Sequence, residues 1–261
     1  MTEEKTHFKN SRGQKLCGIL NVPDGRGPFP TVIICHGFKG NKNSPIYSYL
    51  SREFQRAGIL AFRFDFHGHG ESDGHFEDVT ISQEVKDLKR AIGFISKNKL
   101  VDKEKIGLTA HSLGSFVILR YVANFNIVKA LIPMSPISDF VDFQKDLKSQ
   151  SEDYDSWKEK GHAHFYYPRI DRWYRLNYNF YIDGMKSPDI YSEAEKISCP
   201  VLIFHGKNDS AININQSKEL LKHVKSEHEF IILDEPHVYR KFSSLKLVAD
   251  KSIDWLKRWL K

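Results

Sequence analysis

A serine held between two small residues is the first group in this chain with the makings of a nucleophile. The stretch Lys105-Ile-Gly-Leu-Thr-Ala-His-Ser-Leu-Gly-Ser115 passes from an apolar strand pattern into a helical one. Ala110 and Gly114 stand two positions to either side of Ser112. A nucleophile on a tight strand-to-helix turn is exposed above the sheet, and small neighbours let the adjoining backbones pass. A serine hydroxyl needs a base, and the base needs an orienting carboxylate. In a doubly wound hydrolase these follow in the order serine, acid, histidine. Asp209 follows the apolar run Val201-Leu-Ile-Phe-His205, and His237 follows the last such run, so both are expected in turns on the same rim of the sheet as Ser112. The separations, 97 residues from Ser112 to Asp209 and 28 from Asp209 to His237, leave room for an insertion and for one helix. Asp234 and Glu235 are rival acids, but they precede His237 too closely to orient it easily. Acyl transfer also needs donors for the developing oxyanion. His36-Gly37-Phe38 follows an early strand, so the main-chain N–H groups of Phe38 and Leu113 are the expected pair.

The remaining histidines have plainer readings. His36 and His111 sit at strand ends, where a supporting hydrogen bond is the simpler role. His67 and His69 belong to Asp65-Phe-His-Gly-His-Gly-Glu-Ser-Asp73, where they shape a glycine-rich turn. His162 and His164 are separated by one residue without a carboxylate companion in helical register, so no metal is expected there. His7, His75, His205, His223 and His228 have no chemical context.

These groups must be positioned by alternating elements. Strands are predicted over 16–22, 31–35, 59–65, 105–110, 129–134, 201–205 and 229–233. Helices are predicted over 45–57, 82–97, 113–125, 214–223 and 243–260. Continuous apolar strands alternating with helices imply a doubly wound, mainly parallel sheet with helices on both faces. The pattern fails over 136–196, where 13 of 61 residues are aromatic against 20 of the other 200. Such a segment is too long for a plain loop. The expectation is a core built from residues 1–135 and 197–261, with 136–196 inserted as a mostly helical cap over the strand ends.

Composition removes several classes. With 261 residues, 40% hydrophobic, and a net charge of only +6, the chain can bury a core and is not disordered. No apolar run approaches the ~20 residues of a membrane span, and the polar N-terminus lacks a secretory pattern, so a cytoplasmic protein is expected. Cys17, Cys35 and Cys199 suit reduced, buried thiols. The positive excess gathers at 240–261, seven Lys/Arg against two Asp on a helical pattern, while the aromatic insertion carries nine Lys/Arg against twelve Asp/Glu. A basic helix face without an accompanying RNA or DNA motif gives no ground for nucleic-acid binding.

The motifs resemble the α/β-hydrolase superfamily, and within it the cinnamoyl (feruloyl) esterase-like group. The matching stretches are His36-Gly-Phe-Lys-Gly-Asn41, Gly68-His-Gly-Glu-Ser-Asp-Gly74 with Phe76-Glu-Asp78, Lys129-Ala-Leu-Ile-Pro-Met-Ser-Pro136, Pro200-Val-Leu-Ile-Phe-His-Gly206 and His237-Val-Tyr239. Nearly the whole chain outside the cap takes part. The resemblance implies a serine esterase with Ser112, Asp209 and His237 as triad and Phe38 and Leu113 as oxyanion donors. The chain departs from that group at Ala110 and Ser115, where glycine is usual, and in the cap. The expectation is a carboxylic ester hydrolase acting on small aromatic or short-chain acyl esters, without cofactor or metal. Its partner is a small-molecule ester, not nucleic acid or membrane, and a homodimer is left open. The same residues would also serve a peptidase or thioesterase, a haloperoxidase-like side activity, or a binding protein that kept the fold.

Overall fold

Runs rich in Val, Ile and Phe become strands because a β-branched or aromatic side chain packs well on a pleated surface buried on both faces. The computed structural model describes residues 2–261. Its first half runs β1 (Thr2–Lys9), β2 (Lys15–Val22), β3 (Phe29–Cys35), α1 (Pro45–Arg56), β4 (Leu60–Phe64), α2 (Ile81–Ile95), β5 (Val101–His111), α3 (Leu113–Asn124) and β6 (Ala130–Met134). Then come α4 (Phe140–Ser149), α5 (Trp157–Lys160), β7 (His162–Tyr167), β8 (Arg172–Asn177), α6 (Asn179–Met185) and α7 (Tyr191–Ala194). The chain closes with β9 (Val201–Gly206), α8 (Asn215–His223), β10 (His228–Leu233) and α9 (Phe242–Trp259).

Eight strands form one sheet in the order β1-β2-β4-β3-β5-β6-β9-β10. From β4 to β10 neighbours are parallel, and β1 and β2 add an antiparallel edge. The doubly wound, mainly parallel sheet expected from the alternation is therefore the observed architecture. One strand was not expected. Of its eight residues only Phe8 is buried, so β1 carries no apolar run to betray it.

Helices cover both faces. Leu50 and Phe54 of α1 pack with Val248, Trp255 and Leu256 of α9 on one side. On the other, Leu88 and Ile92 of α2 join Phe116 and Val117 of α3, and this core continues into Phe140, Trp157, Phe165 and Phe180 of the segment 136–196. Local chemistry sets the helix starts. Pro45 opens α1, where its missing N–H is no loss; the Thr80 hydroxyl accepts the N–H of Gln83; Asp139 accepts those of Val141 and Asp142 at 2.8 and 3.0 Å.

The inserted segment is less helical than expected. Its helices are short, and it contains an antiparallel hairpin pairing His162 with Asn177 through to Tyr167 with Arg172. Ala163 and Phe165 point inward while His162 and His164 do not, a period of two that the surrounding aromatic density obscures. Its turn is a 3-10 step over Pro168–Ile170 followed by Asp171 at φ 49°, without the glycine that would announce a hairpin. The Trp157 indole N–H donates to Leu176 O at 2.9 Å and fastens the hairpin to α5. Among the described residues no helix is long and apolar enough to cross a membrane.

Candidate active site

Ser112 alone makes the turn between β5 and α3. It does so at φ 56° and ψ −124°, a conformation costing about 1–3 kcal/mol for a residue with a Cβ. The surroundings hold it there. Its N–H donates to Met134 O at 2.9 Å, and the buried Ser115 hydroxyl donates to Ala110 O at 2.8 Å. Serine at 115 thus ties the two ends of the turn together. At 114 only glycine fits, because a Cβ would run into the His36 carbonyl. A Cβ on Gly37 would stand 2.9 Å from the His111 carbonyl oxygen and 3.1 Å from Ser112 Cβ. These close approaches press the loop after β3 against the serine turn, and Phe38 lines the same cleft as Ser112 and His237. Leu113 is the first residue of α3, so its N–H has no partner within its own helix.

Ser112, His237 and Asp209, far apart in sequence, meet at hydrogen-bond distance. His237 Nε2 lies 3.0 Å from Ser112 Oγ, and Nδ1 lies 2.7 Å from Asp209 Oδ2. In the neutral tautomer with the proton on Nδ1, the imidazole donates to Asp209 and accepts from the serine hydroxyl. The Asp209 side chain is fully buried and receives the N–H groups of Ala211 and Ile212 on Oδ1 at 3.0 and 2.8 Å. Burial opposes its charge, but hydrogen bonds from His205, His237 and Ile212 outweigh burial and hold the carboxyl well below the usual range. The rival acids have other duties. Asp234 is exposed between Lys207 and Lys241, at 2.8 and 2.7 Å. Glu235 is buried and accepts the N–H groups of Arg240 and Lys241, both at 3.0 Å, so it shapes the chain after His237. The Asn208 N–H donates to Glu235 O at 3.0 Å and joins the acid turn to the histidine turn.

The strand-end histidines brace the site. His36 accepts the Phe66 N–H on Nε2 at 3.1 Å, which leaves Nδ1–H to donate to Gly37 O at 3.0 Å. Burial pushes it down to about 4, so it stays neutral. His111 donates from Nε2 to His237 O at 2.8 Å, and burial, with the neighbouring His237, pushes it down to about 3. His205, for which the sequence offers no chemical context, is buried with its Nε2 3.4 Å from Asp209 Oδ2. Its spacing of four from Asp209 across a strand end was the available signal. His162 and His164 lie on the hairpin, His164 bound to Asp153 at 3.0 Å. Among the described residues no three His, Cys, Asp or Glu side chains gather as a metal site.

The cleft above Ser112 measures about 270 Å³. Its walls come from the loop after β3 and from the inserted segment, with Phe38, Phe143 and Tyr167 as apolar faces. Phe38 stacks on Phe180 of α6 with ring centres 5.3 Å apart. Three polar residues that sequence reasoning passes over also line it. Lys39 Nζ donates to Gln150 Oε1 and to Tyr166 O, and burial pushes its ammonium down to about 8. Asp146 of α4 accepts from Gln150 Nε2 at 2.6 Å, and burial pushes it up to about 6 although His237 and Lys39 oppose the shift. No motif marks these residues, because their importance arises only when the insertion folds over the sheet.

Residues 27–150 match the model of a family described as serine aminopeptidase, S33. An Escherichia coli protein described as an uncharacterized 31.7 kDa protein of the traX-finO intergenic region is 31% identical over 134 residues, 51% of this chain and 46% of that protein. The polyketide transferase ATR5 of Stachybotrys chlorohalonatus is 30% identical over 142 residues, 54% of this chain and 47% of that one. The chain thus spans about half the length of the curated relatives it matches. Among solved structures, Est1E of Butyrivibrio proteoclasticus with bound ferulic acid superposes with a TM-score of 0.84 at 24% identity, covering 98% of this chain and 99% of that one. The structural likeness carries the α/β-hydrolase fold over 98% of the chain.

Proposed function

We propose that this chain, which has the α/β-hydrolase fold, belongs to that superfamily and is a serine carboxylic ester hydrolase that works through an acyl-enzyme on small aromatic or short-chain acyl esters. The observation that carries the reading is the unbroken relay from Ser112 Oγ through His237 to Asp209, at 3.0 and 2.7 Å. Ser112 Oγ attacks the ester carbonyl carbon while His237 Nε2 takes the hydroxyl proton. Asp209 keeps the imidazole in the required tautomer and stabilises the imidazolium. The Phe38 and Leu113 N–H groups receive the developing oxyanion. Collapse of the tetrahedral intermediate expels the alcohol, which leaves with the proton from His237. Water, deprotonated by the same imidazole, then attacks the acyl carbon and restores the Ser112 hydroxyl as the acid departs.

Substrate size follows from the cleft. About 270 Å³ bounded by aromatic rings suits an aryl or short acyl group better than a long chain, and the bound ferulic acid of the superposed Est1E supports an aromatic acid. A second reading, acyl transfer from a thioester to an alcohol or amine, is favoured by the relative described as a polyketide transferase. A panel of p-nitrophenyl, hydroxycinnamoyl and thioester substrates, run with wild type and Ser112→Ala, separates the readings. Ester turnover lost in the variant supports the hydrolase. Turnover that survives Ser112→Ala overturns the mechanism, and release of thiol only when an acceptor alcohol is supplied favours the transferase.

A further inference from the structure

A second cavity of about 460 Å³ lies where α2 and α3 of the core meet α6 of the insertion, and it shares no lining residue with the Ser112 cleft. One wall is apolar, formed by Ile81, Val85 and Phe125. The polar part of its lining is unbalanced. Its two carboxylates are already engaged. Asp183 accepts the Ser82 N–H and hydroxyl at 2.7 and 2.8 Å and pairs with Lys186 at 3.3 Å, while Glu193 accepts from Arg120 at 3.2 Å. Lys86 and Lys89 line the same cavity, and neither has a carboxylate within ion-pair distance among the described residues. The Lys89 ammonium instead rests 4.3 Å from the centre of the Phe125 ring. Arg120 adds a further cation to the lining, its guanidinium committed to Glu193 and to Asp189 O.

Two ammonium groups without a carboxylate partner beside an apolar wall fit a ligand with a negative head and a flat or short hydrophobic body. The wall removes the body from water, and the two lysines, exposed at the rim, meet the charge there. We propose that this cavity is a binding site for a small amphipathic carboxylate, an aryl or short acyl acid, separate from the Ser112 cleft. The site sits on the seam between core and insertion. Its clips are the Ser82–Asp183 bonds and the donation from Arg120 to Asp189 O at 3.1 Å. A ligand bound there adds contacts between the two parts and stabilises the closed seam by mass action.

The test is calorimetric titration of the full-length protein with sodium trans-cinnamate, alongside cinnamamide as the uncharged probe of equal shape. Wild type is expected to bind cinnamate at least about tenfold more tightly than the amide, and cinnamate is expected to raise the melting temperature. Lys86→Ala/Lys89→Ala is expected to lose about tenfold or more of that affinity, with the melting shift reduced and ester turnover unchanged. Lys86→Arg/Lys89→Arg is expected to keep both, because the charge remains. Equal affinity of wild type and the alanine pair overturns the site, as does equal affinity for acid and amide or no heat of binding at millimolar cinnamate. The site does not depend on the chemistry at Ser112, so these outcomes stand whether or not the protein proves to be an esterase.

Discussion

Lys39 reaches from the loop that carries Phe38 to the insertion, its Nζ 3.2 Å from Tyr166 O and 5.1 Å from the centre of the Tyr167 ring. One side chain therefore links the proposed oxyanion loop to the hairpin that roofs the cleft. Lys39→Met keeps the length and removes the charge. KM for aryl esters is expected to rise about fivefold, with kcat for p-nitrophenyl acetate changed less than about twofold, the signature of lost substrate positioning. Equal losses of kcat on both substrates would place Lys39 in the chemistry instead.

Asp146 provides a pH test with a definite sign. Its native carboxyl is raised to about 6 from an ordinary value of 3.8, so between those values the folded state binds more protons than the unfolded state. Stability from this group is complete below about pH 4 and is lost as pH rises through about 6. Asp146→Asn, which retains an acceptor for Gln150, is expected to be more stable than wild type at pH 7.5 by about 1–3 kcal/mol and indistinguishable from it at pH 4. Denaturant melts at the two pH values measure the difference, and a constant gap at both would refute the assignment.

Asp209 and Asp234 divide the evidence for the acid. Asp209→Asn is expected to lower kcat about 10⁴-fold by favouring the wrong imidazole tautomer. Asp234→Asn, which disturbs exposed lysine pairs but keeps an amide oxygen to accept from Asn208 Nδ2, is expected to leave kcat within about twofold. Steady-state kinetics of the two variants on one ester decide it, and reversed magnitudes would move the acid to position 234.

The backbone at Ser112 stores strain that a thermal melt can read. Replacing Ser112 removes the nucleophile in either variant, but glycine accepts φ 56° without a Cβ penalty. Ser112→Gly is expected to be more stable than Ser112→Ala by about 1 kcal/mol or more. An alanine variant as stable as the glycine one would mean that the turn relaxes away from its observed geometry.

The parts of the molecule legible in its sequence are those where one local rule dominates. Thr31-Val-Ile-Ile-Cys35 and Val201-Leu-Ile-Phe-His205 are fully buried and read as interior strands. Ser112, Asp209 and His237 are legible as candidates because strand ends fix where such residues emerge. β1 escaped notice because an edge strand buries only Phe8, and the hairpin over β7 and β8 because a non-glycine turn closes it. Lys39, Asp146 and Gln150 were illegible for a different reason. Each is an ordinary surface residue type until the insertion brings it into contact with another segment, and no local pattern encodes that contact.

The insertion lies between β6 and β9, and these two strands are parallel neighbours, pairing Leu131 with Val201 and Met134 with Phe204. The chain leaves at the upper end of β6 and must re-enter at the lower end of β9, so part of the insertion doubles as the obligatory crossover of the sheet. The stretch through α7, which packs on α3 and α8, makes that return journey. Natural variation that retunes specificity therefore has freedom over α4 to α6, where loops and helices can lengthen or shorten over the cleft. The return segment is bound to the wiring of the sheet and lacks that latitude, which makes the roof evolvable on one side only.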